Sequence, residues 1–282
     1  MKRFSSIVTA LIFALALGPN NLMAQGPANT QTTSPIASKA EGTMRIMTYN
    51  VGQITKFINE NFTKQDNVKL IAEIIREAEA DAVCFQELDS CNMRNDYFQL
   101  KSLSEHIGND WGYNYSAAIN YRGGTYGSGV AAKSKPVKCF KIFIPTREGW
   151  EDRVVAAMEY EDFVIASTHL NYNQIEQVEL INTEMKRLYG DSNKPVFLGG
   201  DMNAQPGSEM MLEFKKEWDI ISTVSERSVQ SRMVCIDFIL QFKNRAPKAE
   251  VVNSHAILQA ASGSMKIASD HYPVFIDVVI NK

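Results

Sequence analysis

The sequence predicts an α+β fold, a four-layer α/β/β/α sandwich of two packed mixed β-sheets with outer helices. Three observations carry this prediction. Many apolar runs of strand length follow one another with only turns between them, as in sheets packed face to face. Two longer segments place apolar residues at helical spacing. From Thr43 onward the texture is uniform, without a second linker or internal repeat, so residues 43–282 read as one domain. A fully parallel, doubly wound sheet is the runner-up, and strands that adjoin across turns argue against it.

Taken in order, the chain opens on the basic Met1-Lys2-Arg3, followed by an apolar stretch from Ile7 to Leu17 that is short for a bilayer span. Leu22-Met23-Ala24 supplies a small residue for cleavage, so residues 1–24 read as a secretory signal peptide. Pro19, Asn20 and Asn21 interrupt the apolar run and argue against an uncleaved anchor. The expected destination is export, periplasmic or extracellular. Residues 25–42 (QGPANTQTTSPIASKAEG) lack apolar periodicity and read as a disordered linker.

Met44–Tyr49 alternates as a strand does, and Asn67–Ala80 carries Val68, Ile71, Ile74, Ile75 and Ala78 at helical spacing. Asp81–Glu87 is a short apolar run that ends in an acid. Strands are expected at Val130–Ala132, Val137–Ile144, Val154–Tyr160 and Phe163–Thr168, and a helix over Asn173–Tyr189 closed by Gly190. Pro195–Gly199, Val234–Leu240, Val251–Ala256 and Val274–Ile280 complete the strands.

Loss of residues 1–24 removes Lys2 and Arg3 and no acid, which moves the formal charge from −3 to −5. Such a chain is not built to coat long polyanions by bulk electrostatics. A nuclease stays open, because a bound metal ion supplies local positive charge. Cys84 and Cys235 lie in apolar runs, where a buried free thiol is the commoner state, and no CxxC spacing occurs. Two disulfides in an exported protein remain the alternative.

Asn50, Glu87 and His169 each end an apolar run. Gly199-Gly200-Asp201-Met202-Asn203 and Ser269-Asp270-His271 place more acids, an amide and an imidazole where strand meets loop. A hard divalent cation with a phosphate ester needs this mixture: oxygens for the metal, imidazole for proton or charge transfer. Asp237, inside VCIDFIL, needs a partner or backbone donors because an unpaired acid in an apolar strand is costly. His271 is the natural partner, since an Asp–His pair fixes the tautomer and favours the charged ring.

Seven segments in this order resemble the endonuclease/exonuclease/phosphatase superfamily, which includes deoxyribonuclease-like enzymes, abasic-site endonucleases, inositol-polyphosphate phosphatases and bacterial sphingomyelinases. They are Thr48-Tyr49-Asn50, Gln86-Glu87, Tyr126-Gly127-Ser128-Gly129, Ser167-Thr168-His169-Leu170, Gly199 to Asn203, Ile236-Asp237-Phe238-Ile239 and Ser269-Asp270-His271. The resemblance implies a two-sheet sandwich with its active site at one end of the sheets. It implies Mg²⁺ (or Mn²⁺) on Glu87 with Asn50 and Asp270 beside it, and Asp201 as the group that orients or deprotonates water. Asn203 would contact the phosphate and hold Asp201, His169 would donate to a phosphate oxygen, and His271 with Asp237 would stabilise the pentacovalent phosphorus. Arg153 resembles a phosphate-contacting arginine of the deoxyribonuclease-like members; a strand-edge arginine on the surface is the other reading.

The chain therefore reads as an exported Mg²⁺-dependent phosphodiesterase, nuclease or phosphatase acting on nucleic acid, a nucleotide or a phosphorylated small molecule. No stable protein partner is implied and a monomer is expected. A sphingomyelinase-like phosphodiesterase and an inactive binding member are the alternatives. Specificity is assigned to the loops Gly52–Asp66, Cys91–Gln99, Asn120–Tyr126, Pro145–Asp152 and Ser225–Arg232, which carry Phe57, Phe62, Tyr97, Phe98, Tyr121 and Trp150.

Overall fold

The computed structural model describes residues 34–55 and 57–280. The first sheet holds, in spatial order, β11 (Glu250–Ala256), β12 (Val274–Val279), β1 (Met44–Asn50), β2 (Ala82–Ser90), β4 (Gly124–Lys133) and β3 (Trp111–Tyr121). The second holds β5 (Lys138–Ile144), β6 (Arg153–Glu159), β7 (Val164–His169), β8 (Val196–Asp201), β10 (Asp237–Phe242) and β9 (Trp218–Ile220). In each sheet only the central pair is parallel, β1 with β2 and β7 with β8. Helices α1 (Lys64–Glu77) and α3 (Ile175–Tyr189) lie in the connections between those parallel strands, alongside α2 (Gln99–Ile107), α4 (Glu209–Glu217) and the short α5 (Met265–Ala268).

Alternation along the strands sorts the core into three layers. Met47, Tyr49, Val83 and Phe85 face α1 and α2, while Ala166, Leu198 and Leu240 face α3 and α4. Ile46, Cys84, Val130, Ile165, Phe197 and Ile239 fill the space between the sheets. The expected four-layer sandwich is the one observed.

Polar residues staple the two sheets at the end where the parallel strands terminate. Gln86 Nε2 donates to Ser167 Oγ across the sheets at 3.0 Å, and Ser167 Oγ donates to the Phe85 carbonyl at 2.9 Å. A Cβ on Gly199 would meet the Cys84 side chain at 2.8 Å, so glycine is what lets the sheets approach there.

Element boundaries move for local reasons. Helix α1 begins at Lys64, ahead of the expected Asn67, because Thr63 and Asp66 form a reciprocal capping box. The expected loop Asn120–Tyr126 is the tip of a β3–β4 hairpin that turns on Arg122 and Gly123, both at positive φ. Strand β10 begins at Asp237 rather than Val234, because Ser228 Oγ accepts from the Ile236 and Asp237 amides and holds the preceding residues as loop. Strands β3 and β9 and helices α2, α4 and α5 were not expected. They are short or half-exposed, and their periodicity is correspondingly weak.

The proposed leader lies outside the described residues, as do residues 25–33 of the linker. Residues 34–42 rest on the domain: Ile36 is buried against the α1 layer and Lys39 pairs with Asp81. Arg45, buried at the start of β1, donates to the Ala37 carbonyl and makes a two-pronged pair with Asp277 at 2.6 and 2.8 Å. All four cysteines are free thiols, with Cys84 and Cys235 buried. Among the described residues, no helix is long and apolar enough to cross a membrane.

Candidate active site

The topology brings the predicted residues to one end of both sheets. Asn50 ends β1, His169 ends β7, Asp201 ends β8 and Asp237 opens β10. His169 is the register partner of Asp201 across β7 and β8, and Asp201 that of Asp237 across β8 and β10. Three neighbouring strands therefore present imidazole, carboxylate and carboxylate in one row. His271 enters from the segment before β12, fixed by a bridge to Val229 and by Ser269 Oγ, which accepts from the His271 amide and donates to the Asn50 carbonyl at 2.7 Å.

Glu87 reaches the site through a defect in β2. Phe85 pairs with Gly129 and Leu88 with Gly127, so Gln86 and Glu87 oppose the single residue Ser128. The bulge puts Glu87 at φ +57° and lets both Phe85 and Leu88 face the helical layer. Without it, strict alternation would aim Glu87 at that apolar layer. Asn203, just beyond β8, is also left-handed at φ +48°. Non-glycine residues in this region cost energy and cluster at functional sites.

The side chains interlock around Asp201. Its Oδ2 lies 3.7 Å from Nε2 of both His169 and His271, and accepts from Asn50 Nδ2 at 3.0 Å. Its Oδ1 accepts from the Asn203 amide at 2.9 Å. Asp237 Oδ2 meets His271 Nδ1 at 2.9 Å, as the Asp–His pairing predicts. The other oxygen of Asp237 is buried without a hydrogen-bond partner. Burial first, and then the Asp237 charge, push the Asp201 carboxyl up to about 7. Burial works against a charged His271, but Asp237 and Asp201 outweigh it and lift the imidazole to about 10. Both shifts favour the protonated groups, so His271 is held charged beside a carboxyl that resists ionisation.

Of the two readings of Arg153, the surface one is ruled out: it is 8% exposed, donates to Asn171 Oδ1 at 2.8 Å and brings Nη1 to 3.5 Å from His169 Nδ1. Asn50 Oδ1 accepts from the Gly52 amide at 3.0 Å, so Asn50 turns its Nδ2, not its oxygen, toward Glu87 (3.1 Å) and Asp201. In this arrangement its amide nitrogen orients the two carboxylates. Ligand-type atoms of Asp201, Asp237 and His271 also lie within 4.8 Å of one another. An ion between Asp237 and His271 would have to break their 2.9 Å hydrogen bond.

Beside His271, Asp270 and Asn203 opens a cavity of about 320 Å³. Ser231 and Arg232 line it, as expected for the Ser225–Arg232 loop, but so do Tyr172, Gln205 and Asn173, the last expected to open α3, which begins at Ile175 instead. Of the aromatic residues assigned to loops, Phe62, Tyr97 and Phe98 pack against the core, whereas Phe57 and Trp150 are exposed.

Residues 47–271 match the profile of the Endonuclease/Exonuclease/phosphatase family. The chain belongs to that family. Its members are metal-dependent phosphoester hydrolases. The solved structure of a family protein from Leptotrichia buccalis is 18% identical, with a TM-score of 0.63 over 83% of this chain and 99% of that one. One from Bacteroides vulgatus is 15% identical, with a TM-score of 0.66 over 85% of this chain and 99% of that one. A Bacteroides thetaiotaomicron protein described as a mannosyl-6-phosphatase is 16% identical, with a TM-score of 0.60 over 84% and 99%. At these identities the likeness establishes the fold. No curated protein matches the sequence.

Proposed function

We propose that this chain hydrolyses phosphate esters by in-line attack of water, with a hard divalent cation, Mg²⁺ or Mn²⁺, held by Glu87 and Asp270. The observation that carries the reading is Asp201 Oδ2 at 3.7 Å from both imidazoles, with Asp237 directly behind one of them. The donor set fits such an ion. Asn50 joins Glu87 to Asp201, Asp237 pairs with His271, and Asp270 lines the same cavity as His271, so these acids gather at one end of the sheets. Carboxylate oxygens without thiolates favour a hard ion over zinc. When bound, the cation supplies stabilisation of charge on phosphoryl oxygens.

The chain's own groups do the rest. Asp201, once ionised, accepts the proton of the attacking water, with the Asn203 and Asn50 hydrogen bonds fixing its two oxygens. His271, kept charged by Asp237, donates toward a phosphoryl oxygen as negative charge builds there. His169 lies beside Asp201, and Asn203 Nδ2, 3.0 Å from His169 Nε2 and 2.9 Å from the Leu170 carbonyl, holds that ring at the phosphate site. Arg153 lies behind His169, where it holds that ring and adds positive potential.

The basic start and apolar stretch of residues 1–24 support export as part of this reading, and N-terminal sequencing of secreted protein beginning near Gln25 is the check. The test of activity is hydrolysis of bis-p-nitrophenyl phosphate, p-nitrophenyl phosphate, plasmid DNA, sphingomyelin, a phosphoinositide and a hexose phosphate, each with Mg²⁺ and with chelator. Turnover of at least one ester, abolished by chelator and restored by Mg²⁺, is expected. Chelator-resistant turnover, or none on any ester, contradicts the reading.

A further inference from the structure

Beyond Glu87, strand β2 carries a second, fully buried acid that the chemistry above does not use. Asp89 accepts from Arg94 Nε and Nη2 at 2.7 and 2.8 Å, from Asn92 Nδ2 at 2.7 Å and from Asn95 Nδ2 at 2.6 Å. Asn95 Nδ2 also donates to the Gln53 carbonyl at 3.1 Å, as does Gln99 Nε2 at 2.5 Å, while Gln99 Oε1 accepts from the Asp89 amide at 2.7 Å. Arg94 in turn stacks over Tyr121 and Tyr126, at 4.6 and 5.5 Å from the ring centroids.

What this cluster grips is an unusual stretch of backbone. Gly52, Gln53 and Ile54 are consecutively left-handed, at φ +55°, +55° and +58°. For a β-branched residue such as Ile54 that conformation is a true outlier and persists only where its surroundings impose it. The stretch begins with the Gly52 amide that fixes Asn50 Oδ1, and so sets which face of the Asn50 amide meets Glu87 and Asp201. The contacts form an unbroken path from Asp89 through Asn95, Gln53 and Gly52 to Asn50 and Glu87.

We propose that Asp89, acting through Asn95 and the 52–54 turn, is the positioning residue that holds Asn50 and Glu87 ready for the divalent cation. This inference rests on the assignment of that cation to Glu87. A buried carboxylate satisfied by charged and amide donors is rigid, and rigidity in the groups behind a ligand is what sets its geometry. Asp89 touches neither substrate nor cation; its effect is read in cation affinity.

The test is Mg²⁺ binding by calorimetry on the folded, full-length protein and its variants, with folding checked by circular dichroism and melting. Asp89→Asn is expected to raise the Mg²⁺ dissociation constant tenfold or more, and Asn95→Ala severalfold, since second-layer partners of metal ligands typically govern ~10–100-fold in affinity. In an Asn50→Ala background, Asp89→Asn should add little, because the path is already cut. Should Asp89→Asn fail to fold, Asn95→Ala, which leaves the Asp89–Arg94 pair in place, decides. A merely structural Asp89 predicts lower melting temperatures with wild-type Mg²⁺ affinity, and that result overturns the inference. Absence of Mg²⁺ binding by the wild-type protein overturns the cation assignment itself, and the inference with it.

Discussion

Asp201 and Asp237 are register partners across β8 and β10, so two carboxylates face each other at the ends of adjacent buried strands. Like charges so placed resist simultaneous ionisation, and the imidazole of His271, within reach of both, is the internal counter-charge. The strand pairing that builds the sheet thereby builds the electrostatics of the pocket.

The first prediction concerns stability against pH without metal. Asp201 rises from 3.8 to about 7 on folding and His271 from 6.5 to about 10, so the folded state binds more protons than the unfolded between those limits. Stability contributed by such groups is fully present below the unfolded pKa and lost as pH rises through the folded one. Carboxyls held below their usual range, such as Asp81 and Asp277, matter only in more acidic solution. The melting temperature in chelator should therefore fall from about pH 5 to about pH 9. Asp201→Asn should flatten the more acidic half of that decline. A melting temperature that rises across this window would refute the electrostatic picture.

The second concerns the Asp237–His271 pair. His271→Ala should lower kcat by roughly 10²–10⁴-fold with little change in KM, as expected for a group acting mainly in the transition state. Asp237→Asn should keep the shape and cause a smaller yet still large loss. Because the two act as a unit, the double variant should be little worse than His271→Ala alone. Strictly additive losses in folded variants would show that Asp237 is only a buried structural acid.

The third separates stability from chemistry. Arg45 and Asp277 form a buried two-pronged pair at the start of β1, with the guanidinium 4.0 Å above the Phe275 ring. Asn50 lies at the far end of the same strand. Asp277→Ala leaves a buried, unpaired guanidinium and should cost about 3–5 kcal/mol of unfolding free energy. Turnover per folded molecule should be unchanged. Urea unfolding and activity on one preparation check both halves, and a normal stability would contradict the buried-pair account.

Legibility in the sequence followed the strength of local signals. Asp237 stood out because an acid in VCIDFIL demands a partner, and the structure supplies His271 at 2.9 Å. Asn50, His169 and Asp201 could be placed at strand ends, because apolar runs stop there and polar loops begin; Glu87 could not, since β2 runs on through it to Ser90. Register is a long-range property, so the row His169, Asp201, Asp237 appeared only with the sheet. The Glu87 bulge, the Asn50 amide orientation and the burial of Arg153 depend on contacts far along the chain. Ser167 and Ser269 lie inside the quoted motifs, but their use as staples, like that of Ser228, appears only when sheets and loops meet, because a serine carries no periodicity. Tyr172 and Gln205 sit in short loops directly after His169 and Asn203, and their closeness to those motifs was the one available signal.

In the proposed reaction Glu87 holds the cation while His271 acts on the phosphoryl group. The most direct measurement is a Mg²⁺ titration of phosphoester hydrolysis by wild-type protein, Glu87→Gln and His271→Ala. Glu87→Gln should shift the half-saturating Mg²⁺ concentration upward by about tenfold or more, since it replaces a charged ligand with a neutral one. His271→Ala should lower the plateau rate while leaving half-saturation near the wild-type value. Equal Mg²⁺ dependence in wild type and Glu87→Gln, or hydrolysis that ignores Mg²⁺ altogether, would contradict the account.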